Sequence, residues 1–196
     1  MKDITTITGR DSIGLWLNEH RLTRDGVEIG VMRGENAENI LNHWRGRLYM
    51  VDPWKKQTKE NYRDGTNDID FMDAMVKTVR RTFKFEERAR IVRDFSDVAY
   101  SNFAAIGKRF CFCYIDGNHS MPQCKRDIEQ WWTLIEPGGL FGGHDYLFLD
   151  AIEWRCDVKP VVDEFVSANG LQLHVTHDQS TPEKGGWPSW WVLKPE

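Results

Sequence analysis

Val27-Glu28-Ile29-Gly30-Val31-Met32-Arg33-Gly34 is a short apolar run that carries an acid and two glycines and stands directly before a helical pattern. Its reading decides the fold: a strand that turns over a flat ligand into a helix. Glycine tolerates positive φ and lets backbone approach a ligand closely, so Gly30 and Gly34 suit such a turn. Glu28 then sits at the carboxyl end of the strand, and in an open parallel sheet ligands bind at that edge, where strand order reverses. Two glycines after a strand also occur in turns that only connect elements, so the downstream residues must decide. A second apolar strand, Arg47-Leu48-Tyr49-Met50-Val51, ends in Asp52, and residues 35–45 between the two are helix-like. Strand, glycine turn, helix, strand and acid make one βαβ unit. Asp52 is placed for a ribose diol, whose two hydroxyls are donors that a carboxylate accepts.

Outward from this unit, residues 12–18 read as a short amphipathic helix with Asp11 or Ser12 as its N-cap, capping the sheet or bordering the ligand. After Asp52 come Pro53 and Trp54 and then a polar segment, 55–68, that reads as a loop and a candidate lid. Helical periodicity resumes in Phe71, Met75, Val76 and Val79. A third strand, 89–92, runs into Arg93-Asp94-Phe95-Ser96, where Asp94 and Ser96 are either partners for a purine or plain helix N-caps. Phe110 to Ile115 is a fourth strand, ending in Asp116-Gly117-Asn118-His119. A helix over about 121–135 comes next, which Pro137-Gly138-Gly139 stops, and the strand Leu140-Phe141-Gly142-Gly143 ends in His144-Asp145-Tyr146. Two neighbouring strands therefore deliver Asp116, His119, His144 and Asp145 to one edge. The bland alternative makes Asp116 a turn former and the histidines satisfied surface groups.

With 196 residues and a net charge of -4, the chain has room for one domain with a proper core. Lys and Arg are dispersed among Asp and Glu, a distribution that excludes an electrostatic nucleic-acid footprint. The first residues lack the apolar core of a signal peptide, and no run approaches the roughly 20 apolar residues of a membrane span, so a cytoplasmic protein is expected. Cys111, Cys113, Cys124 and Cys156 lack zinc-site spacing and read as buried, reduced thiols, with Cys111 and Cys113 on one strand face by alternation.

The ordered set Glu28-Ile29-Gly30 with Gly34, Val51-Asp52-Pro53-Trp54, Ile115-Asp116-Gly117-Asn118-His119, Pro137-Gly138-Gly139 and Gly143-His144-Asp145-Tyr146 resembles the class I S-adenosylmethionine-dependent methyltransferases. Within them it is most similar to the small-molecule O-methyltransferase branch that includes the macrocin-type sugar enzymes and lies near the cephalosporin hydroxylase-like proteins. The resemblance spans residues 10–194. It implies a Rossmann-like, doubly wound α/β fold: a mostly parallel seven-stranded sheet with an antiparallel last strand and helices on both faces. The tail fits, with a helix over 158–168, a strand over 171–175 and a final strand over 189–193. By position, Glu28, Gly30 and Gly34 surround the methionine moiety, Asp52 holds the ribose, Asp94, Phe95 and Ser96 border the adenine, and Asp116 lies near the sulfonium, with Trp54 and His119 also among the expected cofactor-binding residues. The commonest class-wide pattern has a glycine where this chain has Met32.

A sulfonium is already a strong methyl donor, so such an enzyme aligns a nucleophile and, for a hydroxyl, removes a proton. His144 and His119 are the candidate bases, with Asp116 the adjacent carboxylate. Metal-dependent relatives hold a magnesium-type ion at the ends of the fourth and fifth strands, where Asp116 and Asp145 stand here; His144 replaces an acid that some relatives carry. Trp131, Trp132, Trp154, Trp190 and Trp191 read as core or interface, and Trp54 and Trp187 as pocket candidates for a sugar or aromatic acceptor. A homodimer through a tryptophan-rich edge is compatible with this composition. Two other classes stand beside the methyltransferase: a nicotinamide-dependent oxidoreductase, which wants G-x-G-x-x-G rather than the G-x-x-x-G found here, and a non-catalytic Rossmann-like binding module.

Overall fold

Phe110-Cys111-Phe112-Cys113-Tyr114-Ile115 has no charged side chain, and in the computed structural model all six residues are buried. A strand covered on both faces belongs at the centre of a parallel sheet. The structure describes residues 2–57, 69–151, 155–176 and 187–196. In chain order the strands are β1 (Asp25–Ile29), β2 (Arg47–Val51), β3 (Ala89–Val92), β4 (Phe110–Ile115), β5 (Ile135–Gly143), β6 (Leu149–Asp150), β7 (Arg155–Cys156), β8 (His174–Val175) and β9 (Trp190–Leu193). The helices are α1 (Ile13–Glu19), α2 (Glu35–His43), α3 (Ile69–Thr82), α4 (Ser96–Ala105), α5 (Met121–Leu134) and α6 (Val158–Asn169).

Seven strands form one sheet in the order β3-β2-β1-β4-β5-β9-β8, and β6 pairs with β7 apart from it. β1 to β5 run parallel, while β9 is antiparallel to both β5 and β8. Strand order reverses between β1 and β4, which puts the ends of those strands beside the crevice where ligands bind in such sheets. The expected architecture, antiparallel last strand included, is the observed one.

Two apolar cores flank the sheet. On one face Ile13, Leu17, Ile40, Trp44 and Val79 pack on Phe112 and Tyr114; on the other Ala99, Ile128, Trp131 and Val162 pack on Phe110, Cys113 and Phe141. Helix α2 shows how the sequence arranges this: Ala37, Ile40 and Leu41 are its buried residues, at the i, i+3, i+4 spacing of one helical stripe. Gly170 (φ 60°) ends α6 in the left-handed conformation that glycine favours.

Several details differ from the sequence reading. Pro137-Gly138-Gly139 does not stop the helix; α5 ends at Leu134 and β5 starts at once, so this segment lies inside the strand. The register jumps there: Ile135 pairs with Phe110, yet Leu140 pairs with Phe112. The matching irregularity at Cys111 puts Cys111 in one core and Cys113 in the other, because a bulge cancels the period-two alternation. All four thiols are buried and free. The strand expected over 171–175 is only His174–Val175, and the β6–β7 pair has no counterpart in the sequence reading. Ser12 does not cap α1 with its side chain; its Oγ instead accepts from the Thr8 and Gly9 amides and closes the preceding turn. Trp154 and residues 58–68 of the expected lid lie outside the described residues. Among the described residues no helix is long and apolar enough to cross a membrane.

Candidate active site

The β1–α2 turn takes positive φ at every second residue: Gly30 84°, Met32 53° and Gly34 84°. Met32 thus adopts the conformation that the class-wide glycine would supply, as a strained, exposed side chain. A Cβ on Gly30 would stand 2.0 Å from the Asp116 carbonyl oxygen, so glycine there lets the end of β1 lie against the end of β4. Gly34 answers to packing: its Cβ would meet Phe83 at 2.9 Å.

Asp52 fastens this turn. Its Oδ2 accepts from the amides of Val31 (2.9 Å) and Met32 (3.0 Å), and its Oδ1 from Trp54 (2.7 Å). Burial raises its pKa against those three bonds. A carboxylate has about four acceptor sites, so roughly one remains for a ribose hydroxyl rather than the two expected from sequence.

A cavity of about 510 Å³ opens at this edge, within the range of cofactor and small-molecule sites. Glu28, Gly30, Asp52, Phe95, Ser96, Asp116, His119 and Asp145 line it; Gly34, Trp54, Asp94 and His144 are not among the lining residues. Trp54 is 1% exposed, with its indole N–H donating to the Met32 carbonyl, so it braces the turn rather than offering a ring face. The Asp94 side chain accepts from the Phe95 amide next to it. Trp131, Trp190 and Trp191 are core residues, as expected.

At one end of the cavity four titratable groups converge. His119 Nε2 lies 2.9 Å from Asp145 Oδ2 and 3.6 Å from Asp116 Oδ1. His144 Nδ1 lies 2.9 Å from Asp145 Oδ1 and 3.8 Å from Asp116 Oδ1. Asp145 is held at positive φ (53°) where β5 ends, a strained placement of the kind that concentrates at functional sites. Burial alone would push the His119 imidazole down; the adjoining carboxylates of Asp116 and Asp145 more than reverse this and hold it up at about 10. Burial likewise opposes ionisation of Asp145, but the two imidazoles take it well below the usual carboxylate range. Beside the cluster, Glu28 is fully buried and its carboxyl is pushed up to about 8 by burial, against one bond from Asn36 Nδ2 at 2.8 Å.

Another part of the lining is built by α4 and α5. Ser96 Oγ donates to Asp127 Oδ1 (2.6 Å) and accepts from the Trp131 indole N–H (2.8 Å), while Gln123 also donates to Asp127 (2.9 Å). Burial lifts the Asp127 carboxyl to about 6. The sequence reading missed Asp127, Arg10 and Asn36, all of which line the cavity. A signal existed for Asp127, a carboxylate on the buried stripe of Cys124, Ile128 and Trp131. None existed for Arg10, which precedes α1 in an ordinary polar turn yet lies 3.5 Å from Asp116.

A family model described as a methyltransferase domain matches residues 27–146, from the glycine turn to the end of the histidine–aspartate cluster. The chain belongs to that family. The methyltransferase resembles several solved structures across most of its length. An O-methyltransferase from Bacillus cereus, solved with SAH, is 14% identical with a TM-score of 0.64, covering 99% of this chain and 84% of that one. The O-methyltransferase TomG from Streptomyces achromogenes, solved with SAM, is 13% identical with a TM-score of 0.64, covering 95% and 80%. The N-methyltransferase NodS from Bradyrhizobium japonicum is 15% identical with a TM-score of 0.61, covering 95% of each chain. At these identities the likeness fixes the fold; the family match fixes the enzyme class. No curated protein sequence matches the chain. The resemblance to class I S-adenosylmethionine-dependent methyltransferases therefore stands, and the oxidoreductase and the empty module are not favoured.

Proposed function

We propose that this methyltransferase methylates a hydroxyl oxygen of a small molecule, with His119 as the base that faces the acceptor. What carries the reading is the convergence of His119, Asp116, Asp145 and His144 on the end of the cavity next to Glu28 and Gly30. A bound S-adenosylmethionine supplies a methyl group on a sulfonium already primed for displacement. The residues present fit such a group: Glu28 Oε2 and Asn36 Oδ1 are buried acceptors that lack a partner among the described residues, in a wall that a donor-bearing ligand would complete.

His119 lines the cavity, whereas His144 does not and pairs with Asp145 at 2.9 Å. The proton of the acceptor hydroxyl therefore passes to His119, and the two carboxylates stabilise the imidazolium that forms. His144 positions Asp145. Asp116, His144 and Asp145 also each offer a ligand atom, all within 4.8 Å of one another, so a divalent cation fits here. An imidazole among two carboxylates suits a manganese-, iron- or zinc-type ion better than magnesium, and such an ion would lower the acceptor hydroxyl's pKa.

A base held near 10 is scarce in its free form at neutral pH. The methyl-transfer rate in chelator-treated enzyme is accordingly expected to rise about tenfold per pH unit from 7 to 9. His119→Gln should flatten this profile and lower kcat by about 100-fold or more, with S-adenosylhomocysteine affinity kept within about threefold. A His119→Gln enzyme with an undiminished, still rising profile would remove His119 from the proposal.

A further inference from the structure

We propose that Arg10 reads the carboxylate of the cofactor's amino-acid end, while Glu28 and Asn36 take its ammonium. This rests on the S-adenosylmethionine reading and adds to it the residues that recognise its zwitterionic tail. Charge sets the assignment. At the end of the cavity where Arg10 sits, the wall carries the carboxyls of Glu28, Asp116 and Asp145. A sulfonium and an ammonium suit that surface; an α-carboxylate does not, and must find a cation within it.

Among the described residues the cationic side chains that line the cavity are Arg10, Arg33, Lys55 and His119. Arg33 lies over the Phe71 ring (5.1 Å) and Lys55 over the Phe95 ring (5.9 Å). His119 is engaged by Asp116 and Asp145. Arg10 meets Asp116 Oδ2 through one nitrogen, Nη1, at 3.5 Å, and its side chain is 37% exposed, so the rest of its planar fork is available for a carboxylate. The Asn39 amide nitrogen donates to the Arg10 carbonyl (3.3 Å) and to Asp11 (3.0 Å), which ties this segment to α2 above the glycine turn. On the neighbouring wall Asn36 Nδ2 donates to Glu28 Oε1, and Asn36 Oδ1 and Glu28 Oε2 are buried with no partner among the described residues; an ammonium beside them favours the ionised form of Glu28, so that both oxygens accept its N–H groups.

The test compares three ligands by calorimetry: S-adenosylhomocysteine, its decarboxylated analogue S-adenosyl-3-thiopropylamine, and 5′-methylthioadenosine, which lacks both charged groups. Wild-type protein should bind S-adenosylhomocysteine about tenfold or more tighter than the decarboxylated analogue. Arg10→Ala should erase that preference by weakening S-adenosylhomocysteine alone, and Arg10→Lys should restore part of it. Asn36→Ala should weaken both amine-bearing ligands and spare methylthioadenosine. The readout is a ratio between ligands on one preparation, so a partly misfolded variant does not mimic it. Equal weakening of S-adenosylhomocysteine and its decarboxylated analogue by Arg10→Ala, or no wild-type preference between them, would overturn the assignment of Arg10 while leaving the cofactor in place. Failure of the wild type to bind any of the three would instead bring down the cofactor reading, and this inference with it.

Discussion

Glu28 ionises near 4.5 in the unfolded chain and near 8 in the folded one, because burial disfavours its charge. Between those values the unfolded state binds fewer protons, so the stability of the ligand-free protein should fall as pH rises through this window. His119 works in the same direction from about 6.5 to about 10: its raised pKa contributes stability that is complete below the first value and lost through the second. The Glu28 share is therefore the difference between wild type and Glu28→Gln in thermal melts from pH 5 to 8. We expect the variant to lose less stability than wild type across that range; parallel curves would show that Glu28 is not buried as a neutral acid. Whereas Glu28 was legible as an acid at a strand end, its proton affinity was not, since that depends on Asn36, Asp116 and Asp52 coming from other elements.

At the scale of elements, the β1–α2 turn and the end of β4 are fitted to one another. Gly30→Ala puts a methyl group 2.0 Å from the Asp116 carbonyl and holds an L-residue at φ 84°. The expected cost is about 3 kcal/mol or more, read as a lowered denaturation midpoint. By contrast Met32→Gly removes a left-handed methionine and should leave stability within about 1 kcal/mol of wild type, since relief of strain offsets the freer unfolded chain. The βαβ unit was readable because its pattern is local: Ala37, Ile40 and Leu41 fall on one helical stripe and Asp52 ends the next strand. Pro137-Gly138-Gly139 misled for a related reason. Those residues are helix breakers by local preference, but in the fold they lie in a strand edge tied to the tail, where Gly138 N–H donates to the Lys194 carbonyl and Lys194 N–H to that of Gly139.

For the molecule as a whole, β9 closes one side of β5, with Trp190, Trp191 and Val192 almost wholly buried. A chain cut after residue 186 would expose β5 and both cores, and should be recovered as insoluble protein or lack a cooperative melt; a soluble, cooperatively melting truncation would show that the sheet is complete without β9. By itself the sequence determined the chain order of the main sheet's strands and the helices between them, the glycine turn with its acid, and the edge at which Asp116, His119, His144 and Asp145 emerge. It could do so because apolar periodicity, glycine backbone freedom and strand-end acids are properties of neighbouring residues. Tertiary structure alone decided that Asp52 spends most of its acceptors on the turn, that Trp54 braces rather than stacks, and that the bulge at Cys111 sends two cysteines to opposite cores. It also brought Arg10 and Asp127 to the cavity from either side of the βαβ unit. These are contacts between residues far apart in the chain, and their partners are set by the close packing of elements against one another, which no local pattern encodes.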